Sequence, residues 1–527
     1  MGRKILFITT DQQRYDALGC NGGKIARTPV ADSLAASGIN YSRAHNQNVV
    51  CMPARSTMIT GQYVRTHGVL ANGVPLPPDA PSIAAYLHEK AGYRTALLGK
   101  AHFEPMFDMG KDYFENQMAG RGSTGPFRGF ERMELAMHGP MGAWHYSLWL
   151  RNNFPGEAEG FVPLLNIERE SGGDTGAPQV KLNPIPREHY HTDWVADRTI
   201  AFLDSLAEDE DWFVWMSFPD PHHPWDPPAS QVKRVNWRDL DLPAGHPGSR
   251  EKIEQILAQK PRHWLEWYEG RFRNNEGGPW MFVPCQLTHD QVREINAMIH
   301  VENELIDEAC GRVMKRIAER GWDSHTDVFF TTDHGELQGD FGLLYKGPYH
   351  VDALMRVPLI WRPAPSAKVK PAVITDPVGH LDLAPTFCGI AGVPVPDWVQ
   401  GKPLPAAAGS GRQRTITEWD SQFRQIGIHL RTIYRDGWVC TVYEKSTCDY
   451  GFDLAPFAAG MGPNVPFPDI HYDGTEGELY NLNEDPLQWR NLWGDAGYAK
   501  MKSDLIADLY DNLPPARNPP LAVESPV

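Results

Sequence analysis

Four short apolar runs, far apart in the chain, each stop abruptly at polar residues able to do chemistry. Ile5–Thr10 runs into Asp11-Gln12-Gln13, and Tyr93–Leu98 into Gly99-Lys100-Ala101-His102. Trp212–Phe218 ends at Pro219-Asp220-Pro221-His222-His223-Pro224, and Val328–Thr332 at Asp333-His334-Gly335. Rich in β-branched and aromatic residues, these runs read as buried strands. Segments of helical period lie between them, at Ser82–Ala91, Asp193–Leu206 and Val292–Arg320. The alternation predicts an α/β fold: a large, mostly parallel sheet covered by helices on both faces, with its site beyond the carboxyl ends of the strands. A single Asp or His at a strand end is usually a helix cap or turn former. Four such ends converging on one crevice make a site.

After residue 400 the texture changes. Residues 401–411 read as a linker, and Arg414–Glu418, Ile428–Tyr434 and Gly437–Tyr443 as short strands of a smaller C-terminal antiparallel α+β subdomain. The expected division is a catalytic domain over 1–400, this subdomain over 401–500, and an extended tail over 501–527. The Pro-rich stretch Leu513–Pro520 cannot be helical, so the tail is read as frayed or as an arm on a neighbouring subunit. The formal charge of −16 repels polyanions and argues against nucleic acid as a partner. No apolar run approaches the roughly twenty residues of a membrane span, so no membrane contact is expected. The 7 cysteines hold no CxxC pair and suit neither a disulfide framework nor a zinc ribbon. The apolar run after Met1-Gly2-Arg3-Lys4 is too short for a signal peptide, and a cytoplasmic location is expected.

The most specific signal is Cys51-Met52-Pro53-Ala54-Arg55-Ser56-Thr57-Met58-Ile59-Thr60-Gly61. It resembles the signature of type I sulfatases and their phosphonate monoester hydrolase relatives in the alkaline phosphatase superfamily. The likeness extends in order through Thr10-Asp11-Gln12, Gly99-Lys100-Ala101-His102, Pro221-His222-His223-Pro224, Thr332-Asp333-His334-Gly335, Lys346, Arg356-Val357-Pro358 and Glu478–Pro486. The resemblance implies an alkaline phosphatase-like fold. It also implies that Cys51 is converted to formylglycine by a formylglycine-generating or sulfatase-maturing enzyme. Taken alone, Cys51 reads as a small buried hydrophobe. Placed ahead of a helix-like stretch, it sits where backbone N–H groups favour an anion. A hydrated aldehyde has two hydroxyls on one carbon: one attacks sulfur, and the other, once deprotonated, expels sulfate without a second attack on the crowded centre.

By hardness, Asp11 and Asp333 offer carboxylates, Gln12 a carbonyl and His334 an imidazole. The resemblance places one divalent ion on these residues together with the modified Cys51. Ca²⁺ is the expected ion, with Mn²⁺ the alternative because of the imidazole. Many sulfatases have Asp-Asp and Asp-Asn where this chain has Asp11-Gln12 and Asp333-His334, a departure that resembles choline sulfatases and phosphonate monoester hydrolases. Gln12 also fits a plain turn residue. Cations for the substrate oxyanions are Arg55, Lys100 and Lys346. By resemblance, Arg55 steadies the formylglycine, Lys100 and Lys346 hold sulfate oxygens, His102 is the base, and His222 serves the leaving oxygen, with His223 its neighbouring rival. His45, His67, His138 and His145 read as turn or surface residues, and His350, one helical turn past Lys346, is not assigned to the site.

Phosphonate monoester hydrolases usually carry Tyr and Thr in the stretch that here reads Lys100-Ala101-His102, which tips the expectation to a sulfatase. The expected reaction is hydrolysis of small aryl or alkyl sulfate monoesters, with crossover to phosphate and phosphonate esters. The alternative is a phosphonate monoester or phosphodiester hydrolase on the same scaffold. Every expected polar position is filled, which disfavours a non-catalytic binding module. Trp144, Trp149, Trp225, Trp264, Trp267 and Trp280 are candidates to line the mouth, although core packing explains most of them equally well. A homo-oligomer, dimer or tetramer, is implied by resemblance alone.

Overall fold

Period-two alternation builds the centre of the molecule. In the computed structural model, which describes residues 2–106, 110–140, 142–165, 171–271, 276, 282–445, 451–453 and 470–525, the strand Lys4–Thr10 is buried along its whole length. Ile5 and Phe7 point to one face with Leu97, Phe213, Trp215 and Phe329. Leu6 and Ile8 point to the other with Leu98, Val214, Met216, Val328 and Phe330. A strand greased on both faces must sit inside a covered sheet.

That sheet has 8 strands, in the order Ala372–Ile374, Ile39–Tyr41, Leu359–Arg362, Thr326–Thr332, Lys4–Thr10, Trp212–Ser217, Arg94–Gly99, Arg132–Leu135. The last five run parallel. Leu359–Arg362 runs antiparallel to both its neighbours. Helices Cys51–Thr60, Ile83–Ala91 and Leu383–Ala391 cover the first face, and His191–Asp204 and His289–Glu319 the second. Their starts obey local chemistry. Ser82 accepts from the Ala85 N–H at 3.3 Å, and Thr288 with Gln291 forms a reciprocal capping box.

A second sheet, antiparallel, comprises Arg414–Asp420, His429–Arg435, Trp438–Tyr443 and Gly477–Asn481. One of its faces joins Trp419, Leu430 and Tyr443 to Ile295, Trp264 and Tyr349 from the first 400 residues. Its other face carries Ile416, Ile433 and Cys440 against Leu505 and Leu509. Those two leucines belong to a helix, Ala499–Asn512, which corrects the expectation of an extended tail from residue 501. Leu505 and Leu509, one turn apart, give that helix an apolar stripe to bury; only the Pro-rich segment beyond it is extended.

The extended segment is neither frayed nor off the chain's own surface. Arg517 N–H donates to Arg65 C=O at 2.7 Å and Glu524 N–H to Gly73 C=O at 2.8 Å, with Val523 and Ser525 buried. Gly99 marks how tightly the strand ends meet. Its φ is +110°, and a Cβ there would lie 1.7 Å from the Ser217 carbonyl oxygen, which already accepts from Lys100 N–H at 2.8 Å. Gly99→Ala is therefore expected to destabilise the fold by about 2–5 kcal/mol through backbone strain and overpacking. A fall in the urea midpoint checks this, and an unchanged midpoint contradicts it.

Candidate active site

The crevice lies where the sequence places it, beyond the carboxyl ends of the parallel strands. Asp11 follows Lys4–Thr10, Lys100 follows Arg94–Gly99, and Asp333 follows Thr326–Thr332. Cys51 opens the helix Cys51–Thr60, all of whose residues are buried. Pro53 is tolerated in its first turn, and Gly61 closes it in left-handed backbone at φ +67°. The N-terminal amides are partly capped, Val50 N–H by Asn48 Oδ1 at 2.9 Å and Met52 N–H by Asn72 Oδ1 at 3.0 Å.

Arg55, fully buried, reaches sideways from this helix. Its Nε donates to Asp333 Oδ2 at 2.9 Å, one terminal nitrogen to Lys100 C=O and Ser217 Oγ at 2.9 Å each, and the other to Asp11 Oδ2 at 3.4 Å. Around the Cys51 sulfur stand His334 Nε2 at 3.2 Å, Asp11 Oδ1 at 3.7 Å, Lys346 Nζ at 3.2 Å and Lys100 Nζ at 4.0 Å. Asp11, Cys51, Asp333 and His334 each offer a ligand atom, all within 4.8 Å of one another. Two carboxylates and an imidazole converging in a buried pocket fit a divalent cation by donor chemistry. Gln12 turns its Oε1 to Lys346 Nζ at 2.9 Å, while its Nε2 faces Glu336 and lies 3.3 Å from His223 Nδ1.

The electrostatics follow from these distances. Burial alone would raise the Asp11 carboxyl, but Lys100, Lys346 and Arg55 together hold it well below its ordinary value. Burial and the Asp11 charge push the Cys51 thiol up to about 12 against the pull of both lysines. Burial, then the nearby lysines, keeps His222, His223 and His102 well below the usual histidine range, so they are neutral in this state. Glu336 and Glu276 are each raised to about 7 by burial and add less negative charge than their number suggests. Gln12, His102 and Tyr345 hold left-handed backbone at φ +64°, +56° and +69°. Strained non-glycine residues of this kind gather where surrounding structure over-determines them.

All the proposed site residues meet here. Both histidines of the 222–223 pair arrive: His222 Nε2 lies 2.8 Å from Lys346 Nζ, and His223 is the one beside Gln12. Neither ring nitrogen of buried His102 has a hydrogen-bond partner among the described residues. Its backbone is gripped by Glu115, whose carboxylate accepts from His102 N–H at 3.0 Å and Phe103 N–H at 3.1 Å. His350 bonds Thr432 in the second sheet, since 346–350 is not helical and carries it away. His45, His67 and His145 are structural, bonded to Thr415, to Thr57 and Val69, and to Leu135 and Ser123. Trp225, Trp264 and Trp267 are fully buried in one core cluster and Trp144 in another, while Trp149 packs against a third; Trp280 lies outside the described residues.

Sequence reasoning missed three residues. Ser217, which holds Arg55, is the last residue of its strand, and Glu115 lies thirteen positions past His102 with no local pattern to betray it. His138 stands 2.9 Å from Lys100 Nζ and stacks on His222 with ring centroids 4.1 Å apart. It follows the short strand Arg132–Leu135, whose alternating charges hid it in the sequence.

Comparison with known proteins agrees with this geometry. Residues 3–393 match the family model described as Sulfatase. An uncharacterized sulfatase, YidJ, of Escherichia coli K12 is 26% identical over 98% of this chain and 88% of its own. An arylsulfatase of Clostridium perfringens is 27% identical over 77% of this chain and 78% of its own. A phosphonate monoester hydrolase of Agrobacterium radiobacter superposes with a TM-score of 0.72 at 21% identity, covering 97% of this chain and 95% of that one.

Replacing Asp333 with Ala would leave Arg55 buried with only its 3.4 Å contact to Asp11 as an ion pair. The expected cost is about 3–5 kcal/mol, because it strands a buried charge. Chemical denaturation with a chelator present isolates that term from metal binding, and a cost below about 1 kcal/mol would contradict the clamp.

Proposed function

The chain belongs to the sulfatase family and is a sulfuric ester hydrolase; we propose that it cleaves small sulfate monoesters with a formylglycine made from Cys51 beside one divalent ion. The observation that carries this reading is the Cys51 sulfur, which sits at a helix N-terminus inside the four-ligand cluster with Lys100 and Lys346 on either side. The sulfur marks the place of the hydroxyls of the modified residue. As a thiol pushed up to about 12, Cys51 stays protonated near neutral pH and is a poor nucleophile, which supports its conversion.

Asp11, Gln12, Asp333, His334 and residue 51 would hold the ion, with Ca²⁺ expected and Mn²⁺ the alternative. When bound, the ion supplies Lewis acidity toward an ester oxygen. The remaining work falls to the chain. Lys100 and Lys346 bind the non-bridging oxygens, which carry the negative charge of the ester. Arg55 fixes Asp11 and Asp333 and ties them to the helix that carries the nucleophile. His222 accepts from Lys346 at Nε2, and its Nδ1 faces the His223 carbonyl at 2.5 Å. With Nδ1–H given to that carbonyl, Nε2 is the ring atom through which His222 serves the leaving oxygen beside Lys346. His102, with both nitrogens unpartnered, is the base that takes a proton from residue 51. In this reading the enzyme works in the cytoplasm as a homo-oligomer after a maturing enzyme has modified Cys51.

A second reading, hydrolysis of phosphonate monoesters or phosphodiesters, draws on His334 in the metal cluster and on Gln12 beside Lys346. Both ester classes present a tetrahedral anionic centre to the same lysines, so crossover activity is part of the proposal. Turnover of nitrophenyl sulfate against nitrophenyl phenylphosphonate decides between them: a higher kcat/KM for sulfate is expected, and the reverse overturns the first reading. Cys51→Ala is expected to lower kcat by about 10³-fold or more. The peptide containing Cys51, taken from active protein, should have the mass of the aldehyde, and a full-strength enzyme bearing only the thiol would defeat the mechanism.

A further inference from the structure

The two lysines that face Cys51 are held on one plan. Each ammonium has three N–H bonds to place. Lys346 directs them to Gln12 Oε1 at 2.9 Å, His222 Nε2 at 2.8 Å and Cys51 Sγ at 3.2 Å. Lys100 directs them to Asp11 Oδ2 at 2.5 Å, His138 Nε2 at 2.9 Å and Cys51 Sγ at 4.0 Å. In both cases one side-chain oxygen and one imidazole flank the ammonium, which also faces residue 51. The two imidazoles stack on each other, with centroids 4.1 Å apart and planes at 22°, and His222 stacks in turn on His223 at 4.1 Å.

We propose that His138 is a positioning residue: it fixes the Lys100 ammonium so that its third N–H meets the substrate's non-bridging oxygen, as His222 does for Lys346. The proposal rests on the reading that Lys100 grips the substrate anion. Lysine is a point charge on a flexible stem, and one acceptor does not fix the rotation of its ammonium; a second acceptor does. An imidazole supplies that acceptor without negative charge. A second carboxylate in its place, added to Asp11, would leave Lys100 facing two negative charges and repel an anionic ester. Accepting at Nε2 leaves the ring proton on Nδ1, an atom buried without a partner. Burial and Lys100 both disfavour a second proton on this ring, which keeps Nε2 an acceptor. The residue reaches Lys100 from the turn that follows the edge strand Arg132–Leu135, so the strand beside that of Lys100 supplies the support for its lysine.

Three variants separate this role from mere packing. His138→Gln keeps an acceptor, His138→Phe keeps the stacked ring without the acceptor, and His138→Ala keeps neither. Each is assayed as the matured, metal-loaded protein with whichever nitrophenyl ester the parent turns over, alongside the inhibition constant for inorganic sulfate. The Ala and Phe variants are expected to lose about 10–100-fold in kcat/KM and to bind sulfate correspondingly more weakly, while Gln stays within about threefold of the parent. The proposal is overturned if Phe restores activity and Gln does not, if all three lose equally, or if Ala and Phe stay within about twofold of the parent. Thermal unfolding of the Phe and Gln variants, which fill most of the ring's space, guards against a folding defect. Lys100→Ala serves as the control beneath: undiminished turnover there would remove the reading on which the proposal rests, whereas an inactive Lys100→Ala with a fully active His138→Phe removes the proposal alone.

Discussion

One guanidinium ties the molecule's active end together. Arg55 has no exposed surface and meets a group at or just beyond the end of each of four strands: Asp333, Asp11, the Lys100 carbonyl and Ser217. An isolated buried charge is prohibitively costly. The helix that carries Cys51 therefore has only one seat on the sheet in which its arginine is satisfied. Planar and forked, the side chain sets the helix's rotation as well as its position. The place of Cys51 is thus a by-product of satisfying a charge four residues away.

The same logic spreads outward. Three buried cations, Arg55, Lys100 and Lys346, face the two carboxylates of the cluster, although the whole chain carries −16. Field inside a water-poor pocket is set by the nearest few charges, and the distant surface acids are screened by solvent. A small anion is drawn to that pocket, while a polyanion spread over the surface meets repulsion.

Much of this was legible in the sequence because buried parallel strands leave little choice: runs such as Ile5–Thr10 and Val328–Thr332 need cover on both faces, and their ends must then be neighbours. The signature around Cys51 added the order of the site. What stayed hidden did so for physical reasons. Arg132–Leu135 is an edge strand of 4 residues with charges at alternate positions, too brief to announce that His138 follows a strand end. The tryptophans were ambiguous because an indole in a long connection serves equally well as wall or as filling, and burial among Tyr345, Tyr349 and Phe341 decided for filling. The helix Ala499–Asn512 was masked by the prolines after it, which forbid helix only from their own positions onward.

The segment beyond that helix returns to lie along Gly73, next to Asn72, whose oxygen caps Met52 beside the nucleophile. Gly73 has no room for a side chain there, since a Cβ would lie 1.9 Å from the Ser525 carbonyl oxygen. Two pieces of chain more than 400 residues apart thus meet against the helix that carries Cys51. On a ribosome this contact cannot form until almost all of the sequence has emerged. Throughout that interval the loop behind Cys51 lacks its clasp. In the maturation proposed above, that interval is when a modifying enzyme would reach a cysteine that the finished fold conceals.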